Sequence, residues 1–260
     1  MKTDVTKIVC CIILIAGSFI GADFISSKNS NSSLISEELD RQIESVIVGS
    51  EHILNMVHGS TVRIYGILDN IEMNCSGTII KHEKLNDKLK LTILGSGHCV
   101  NNNFNYRAIY QKQHHGNFIK YLEFDIKIKY VDYISDLAIF EGECLAEDID
   151  NLTVAKLYNG TDNLFGKRVL ISSYPFELGP VFGYGYINRI FINGDTEYIA
   201  AYIIADKGSS GASIKCIKDG SIIGVISTCL GDQDGRIQYE MNCIKYTTIK
   251  KFLDKNNISL

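Results

Sequence analysis

Three short segments carry side chains able to perform nucleophilic chemistry together. Gly95-Ser96-Gly97-His98-Cys99 offers an imidazole just after the apolar stretch Leu91 to Leu94. Ser135-Asp136-Leu137-Ala138-Ile139-Phe140 sets a carboxylate at the mouth of an apolar run. Gly208-Ser209-Ser210-Gly211-Ala212-Ser213 presents hydroxyls in a glycine-rich turn ahead of Ile214 to Ile217. A serine hydroxyl is a poor nucleophile at neutral pH. A neutral imidazole within hydrogen-bond reach accepts its proton during attack and returns it to the leaving group. A carboxylate fixes the imidazole tautomer and stabilises the imidazolium. A tight glycine turn aims successive N–H groups at a developing oxyanion, here those of Gly208 and Ser210. Each segment alone has a bland explanation: a surface histidine, an acid in a turn, a flexible loop. Their combination and order point to His98 as base, Asp136 as its orienting acid and Ser210 as nucleophile.

Residues so far apart in the chain need rigid elements to bring them together. From residue 60 the hydrophobic period is two. In Tyr121 to Val131, Leu122, Phe124, Ile126, Ile128 and Tyr130 face one way, while Glu123, Asp125, Lys127 and Lys129 face the other. That is a strand with one buried face. Further strands are expected at 60–68, 75–81, 90–94, 104–111, 137–140, 168–173, 184–192, 198–204, 212–217, 221–228 and 236–241. Asn193-Gly194-Asp195 and Lys218-Asp219-Gly220 read as turns, the latter as a hairpin. His82 to Lys90 reads as a solvated loop. A helix is expected at 247–255, with Ile249, Phe252 and Leu253 on one side. The whole is an all-β protein, closed or sandwiched.

The chain has 260 residues, 45% hydrophobic and 22% charged, with net charge −4. It is long enough to bury a core, and no Lys/Arg cluster forms a basic stripe, which argues against nucleic acid as a partner. Lys2 and Lys7 precede an apolar run from Ile8 to Ala22, which reads as a signal peptide or membrane anchor over 1–24. The mature chain is therefore expected to be secreted, periplasmic or tethered outside the cytoplasm. Residues 25–46 read as a polar linker, with a short helix from Ser36 to Val46. Six of the eight cysteines lie beyond the apolar run: Cys75, Cys99, Cys144, Cys216, Cys229 and Cys243. An even number in an exported chain argues for disulfides without fixing their pairing. A zinc site from His98, Cys99, His114 and His115 lacks the usual ligand spacing, so no metal and no other cofactor is expected.

The three segments resemble the signature segments of chymotrypsin-like (trypsin-like) serine peptidases, over about residues 47–254. Cys75-Ser76-Gly77-Thr78-Ile79-Ile80 resembles the strand preceding the catalytic histidine in that family. Gly166 to Gly183 resembles the start of the second barrel in bacterial peptidases of the high-temperature-requirement type, and Gly224-Val225-Ile226-Ser227 the strand bearing a serine that supports the catalytic aspartate. The resemblance implies two six-stranded antiparallel Greek-key β-barrels, about 47–145 and 160–245, and a Cys75–Cys99 disulfide. It implies a polypeptide substrate bound as an added strand along Ser227, Thr228 and Cys229. It also places Ile204 at the base of the specificity pocket, with Ile237 or Tyr239 on the opposite wall. An apolar Ile204 implies a preference for small or medium apolar residues before the scissile bond. No PDZ-like module is expected after the C-terminal helix.

There are departures. Ile47-Val48-Gly49-Ser50 looks like an activated N-terminus, but Ser209 stands where its acidic partner would be, so a plain first strand is the competing reading. Ala212 and Ser213 replace the usual Gly and Pro. Two other readings compete with an active endopeptidase: a catalytically silent binding protein on the same fold, and an unrelated exported β-protein. The oligomeric state is not legible.

Overall fold

The computed structural model describes residues 53 and 55–260, apart from 70, 115–116, 149–151, 178 and 231–239. The described residues all belong to one compact unit, Gly49–Leu260. The expected leader, linker, 36–46 helix and Ile47 lie outside the described residues, as do Ile237 and Tyr239.

The first six strands are β1 (Thr61–Leu68), β2 (Ile71–Leu85), β3 (Lys88–Gly95), β4 (Asn105–His114), β5 (Asn117–Asp132) and β6 (Leu137–Leu145). They close into an antiparallel barrel in the order β1-β2-β3-β6-β5-β4. The second set is β7 (Arg168–Ser173), β8 (Val181–Asn193), β9 (Thr196–Ile203), β10 (Ser213–Cys216), β11 (Ile222–Leu230) and β12 (Glu240–Lys245). Its order, β10-β11-β12-β9-β8-β7, repeats the topology of the first, and it also closes. Closure is how an all-β chain removes its unpaired edges. Helix α1 (Tyr246–Lys255) follows.

The alternation seen in the sequence explains the cores. Val62, Ile64, Leu91, Ile93, Phe124, Ile126 and Phe140 fill the first barrel. Val169, Ile171, Ile187, Ile199, Ile214 and Ile223 fill the second. A third cluster lies between them: Ile80, Leu94, Leu137 and Ile139 of barrel 1 meet Ile222, Val225 and Ile244 of barrel 2, sealed by Ile249, Phe252 and Leu253 of α1.

Two local expectations need correction. His82 to Lys90 is not a loop but a hairpin extending β2 and β3, with Glu83 opposite Lys90 and Lys84 opposite Leu89. Most of its side chains are exposed and charged, with one ion pair along β2, Lys81–Glu83 (2.8 Å), and one across to β6, Lys90–Glu141 (3.2 Å), while Leu89 still reaches the core. The last strand runs Glu240–Lys245, past the expected end at 241, because Met241, Cys243 and Ile244 are buried there; residues 236–239 lie outside the described residues. The Lys218-Asp219-Gly220 turn joins β10 to β11 as expected, with Gly220 at φ 69°.

Barrels closed on themselves share no ladder, and a short segment ahead of β1 helps to bind them. Residues 55–58 are helical. Lys215 of β10, 1% exposed, donates to Val57 O (2.8 Å) and Ser60 Oγ (2.5 Å). His58 Nε2 donates to Gln111 O of β4 (2.6 Å), which leaves Nδ1 to accept from Ser172 Oγ of β7 (3.4 Å). Burial pushes the Lys215 ammonium down to about 7 and the His58 imidazolium down to about 4. A neutral amine keeps two N–H donors, enough for both Lys215 acceptors. Between about pH 7 and the ordinary lysine value near 10.4, the unfolded chain holds a proton here that the folded chain has shed. Folding is therefore favoured as pH rises through that window. The urea midpoint is expected to climb from pH 7 to pH 9, and Lys215→Met to flatten that climb; an unchanged slope in the variant would remove Lys215 as its source.

Candidate active site

His98 lies in a single helical turn, Gly97–Cys99, directly after β3. Two ties hold the turn. The Cys75–Cys99 disulfide joins it to β2, closing a loop of 24 residues, a constraint worth about 3 kcal/mol against the unfolded chain. Tyr106 Oη of β4 donates to Cys99 O (3.1 Å). The pairing implied by the family resemblance is thus formed. With Cys99 in a disulfide it is no thiolate ligand. Among the described residues no cluster of His, Cys, Asp and Glu could hold a metal ion. Cys216 and Cys243 are buried thiols.

Asp136 sits in the turn between β5 and β6. Asp132 starts that turn by accepting the Ile134 and Ser135 amides on Oδ1 (3.0 and 3.2 Å). Asp136 then adopts φ 53°, a left-handed conformation that aspartate tolerates better than most residues. Its carboxylate accepts from three sources. His98 Nδ1 lies 2.9 Å from Oδ2 and 3.0 Å from Oδ1, the His98 backbone N–H donates to Oδ1 at 2.7 Å, and Ser227 Oγ donates to Oδ2. Because carboxylate oxygens accept, the imidazole proton belongs on Nδ1, which leaves the Nε2 lone pair outward. His98 is 45% exposed and Asp136 only 15%. Burial alone would raise the Asp136 carboxyl, but the bonds from His98 and Ser227 outweigh it and hold the group below its ordinary value.

Ser210, half-buried, lies in the turn between β9 and β10. Gly208 at φ 96° and Gly211 at φ 85° make that turn possible. A Cβ on Gly208 would sit 2.4 Å from Tyr174 O, and one on Gly211 would sit 2.2 Å from Ser76 O. Barrel 1 grips the turn: Ser76 N–H donates to Ser210 O (2.8 Å), and Ser76 Oγ to Gly208 O (2.7 Å). Ile226 O of β11 accepts both the Gly211 N–H (2.9 Å) and Ser96 Oγ (2.7 Å), so it ties the Ser210 turn to the residues just before His98. Ser209, where an acidic partner for a freed N-terminus would stand, is buried and bonded to Ser173 Oγ (2.9 Å) and to the Asp206 amide (3.2 Å). Among the described residues the Gly208 and Ser210 amides have no acceptor in the chain.

Of the expected substrate-binding residues, Ser227 is buried against Asp136, and Thr228 is exposed on β11, where Asn242 Nδ2 approaches its hydroxyl at 3.4 Å. Cys229 lies on the same strand, opposite Met241. Pairing between β10 and β11 ends at Ser213 and Val225, so beyond Ile226 that edge of β11 has no strand beside it among the described residues. Ile204 follows β9 directly and is 68% exposed. Ser76 and Ser173, which bond the Gly208–Ser210 turn, had no sequence signal as site residues.

Because Asp136 titrates below the ordinary aspartate value near 3.9, its interactions stabilise the fold above that value and are lost as pH falls through the lower folded value. Ser227→Ala removes one of its donors. The Asp136 carboxyl is then expected to titrate higher, read by carbon NMR of the side chain; an unchanged titration would show that the hydroxyl contributes nothing.

No family model matches the sequence, and no curated protein matches it. Among solved structures the chain is similar to a serine endoprotease from Yersinia pestis, with a TM-score of 0.59 and 19% identity over 79% of this chain. The match spans 65% of that protein's length. At that identity the likeness concerns architecture: the two barrels and the C-terminal helix have the fold of a chymotrypsin-like serine protease.

Proposed function

We propose that this chain is a serine endopeptidase in which Ser210 attacks the scissile carbonyl, His98 carries the proton and Asp136 orients the imidazole. The observation that carries this reading is the Asp136 carboxylate, buried and bonded to both His98 Nδ1 and Ser227 Oγ. A buried charge is costly and persists where hydrogen bonds compensate it. Here they fix a surface imidazole in one tautomer, and a structural role alone does not call for that. The unpaired amides of Gly208 and Ser210 supply the oxyanion site. A silent binding protein would have no use for two unpaired amide donors and a tautomer-locked histidine.

In the same reading, the polypeptide substrate adds a strand along Ser227, Thr228 and Cys229, on the edge that β10 leaves open. Ile204 provides an apolar base for the pocket that takes the side chain before the scissile bond. The chain acts outside the cytoplasm, where the Cys75–Cys99 bond persists, and its N-terminal apolar run serves as leader or tether.

A fluorophosphonate is expected to label the purified protein, and Ser210→Ala to abolish the label and lower turnover of a peptide ester on the order of 10⁴–10⁶-fold. Asp136→Asn should cost roughly 10⁴-fold through the wrong tautomer. No label on the wild type, or wild-type turnover in either variant, would end this assignment. A peptide library is expected to favour small or medium apolar residues at the position before cleavage; a strong Lys or Arg preference would contradict the role given to Ile204.

A further inference from the structure

The chain between β6 and β7 is tied to both barrels through alternate backbone groups. Thr153 N–H donates to Gly59 O (3.0 Å) and Ala155 N–H to Ile79 O (3.0 Å), both on the side of barrel 1. Lys156 O accepts the Ile222 N–H (2.8 Å), and Tyr158 N–H donates to Ile222 O (2.9 Å), at the start of β11. In an extended chain, successive residues point their N–H and C=O groups to opposite edges. Thr153 and Ala155 therefore face barrel 1, and Val154, Lys156 and Tyr158 face barrel 2.

Leu157 and Ile222 form a parallel bridge. Carried one step back, that ladder would set the Val154 C=O and the Lys156 N–H against Gly220. It stops instead. Gly220 N–H turns to Cys216 O (2.9 Å) and closes the turn between β10 and β11. Among the described residues, the Val154 N–H and C=O and the Lys156 N–H find no partner in the chain.

A groove of about 560 Å³ opens where the ladder stops, with Met56, Leu152, Val154 and Leu157 among its walls and Asp219 and Gly220 on the far side. An added strand occupies ~3.3 Å of length, ~4.8 Å of width and ~10 Å of depth per residue, about 160 Å³. The groove thus has room for about three or four extended residues. Unpaired main-chain donors and acceptors on one edge, beside apolar side chains, are what an extended peptide satisfies when it joins a sheet edge. An apolar small molecule would leave the three backbone groups unpaired, and water would leave the apolar walls wet.

We propose that this groove binds a polypeptide segment in extended conformation, added as a short strand on the Val154–Lys156 edge, with an apolar side chain against Met56, Leu152 and Leu157. The site shares no residue with the His98, Asp136 and Ser210 constellation or with the open edge of β11, and it does not depend on the peptidase reading.

The test selects a displayed library of random heptapeptides on the full chain carrying Ser210→Ala, so that no peptide is cleaved. A second selection uses the same chain with Met56→Trp added to fill the groove. Peptides retained by both are discarded, which removes any that bind along β11. The remainder is expected to alternate apolar and polar residues. For one such peptide, N-methylation of one of its two alternating sets of amides should weaken binding roughly tenfold or more, since main-chain bonds are lost and every side chain is kept. Val154→Pro, which deletes the unpaired N–H, should cost a similar factor, and Val154→Thr, which keeps it, should stay within about threefold. Amide hydrogen exchange over residues 152–157 should slow when the peptide is bound. The proposal is overturned if no peptide distinguishes the two chains, if neither set of N-methyl groups weakens binding, or if exchange over 152–157 is unchanged in the complex. The exchange measurement needs no variant in the groove, so it judges the proposal even where Val154→Pro or Met56→Trp fails to fold.

Discussion

Two barrels that each close on themselves leave no main-chain ladder between them, so their mutual alignment rests on apolar contact and a few buried polar bonds. This constraint governs the site. His98 and Asp136 belong to the first barrel, Ser210 and Ser227 to the second, and catalysis tolerates misplacement of only a fraction of an ångström. The cluster of Ile80, Leu94, Leu137, Ile139, Ile222, Val225 and Ile244 supplies most of the adhesion but no direction. Direction comes from hydrogen bonds. Thr78 and Ser213 hydroxyls meet at 2.7 Å, Ser96 reaches Ile226 O, Ser76 holds the Ser210 turn, and Lys215 and His58 lock the segment ahead of β1 between the two halves.

The same bonds set the electrostatics. Asp136 is buried enough that its charge needs compensation, and its donors come from both barrels: His98 from the first and Ser227 from the second. A displacement of one barrel would therefore also loosen the carboxylate that fixes the imidazole. Structure and chemistry are coupled at one residue, which explains why small hydroxyl side chains (Ser76, Thr78, Ser96, Ser213, Ser227) crowd the boundary. They satisfy buried carbonyls and carboxylates in little volume.

Much of this was legible in the sequence because the signals are local. Period-two alternation marked most strands, and the glycine turn around Ser210 and the Gly-Ser-Gly turn before His98 announced themselves by residue type. What was not legible depends on distant parts of the chain. Nothing in the expected 212–217 strand marks Lys215 as buried, yet it packs against residues 57–60 and is 1% exposed. The 82–90 hairpin reads as a loop because most of its residues are charged or polar and exposed, with only Leu89 turned into the core. Nothing in Tyr174-Pro175-Phe176 signals a phenylalanine at φ 49°, whose N–H bonds Lys207 O about thirty residues later. Ser209 showed the opposite pattern: its identity alone argued against pairing with a freed amine, and its bonds to Ser173 and Asp206 give the physical alternative.

The most direct measurement is a crystal structure of the protein soaked with a peptide boronate, which mimics the tetrahedral intermediate. The account predicts boron bonded to Ser210 Oγ, one boron oxygen about 2.7–3.1 Å from both the Gly208 and Ser210 amides, and His98 Nε2 in hydrogen-bond range of the adduct. Boron bonded elsewhere, or an adduct whose oxygen meets neither amide, would contradict it.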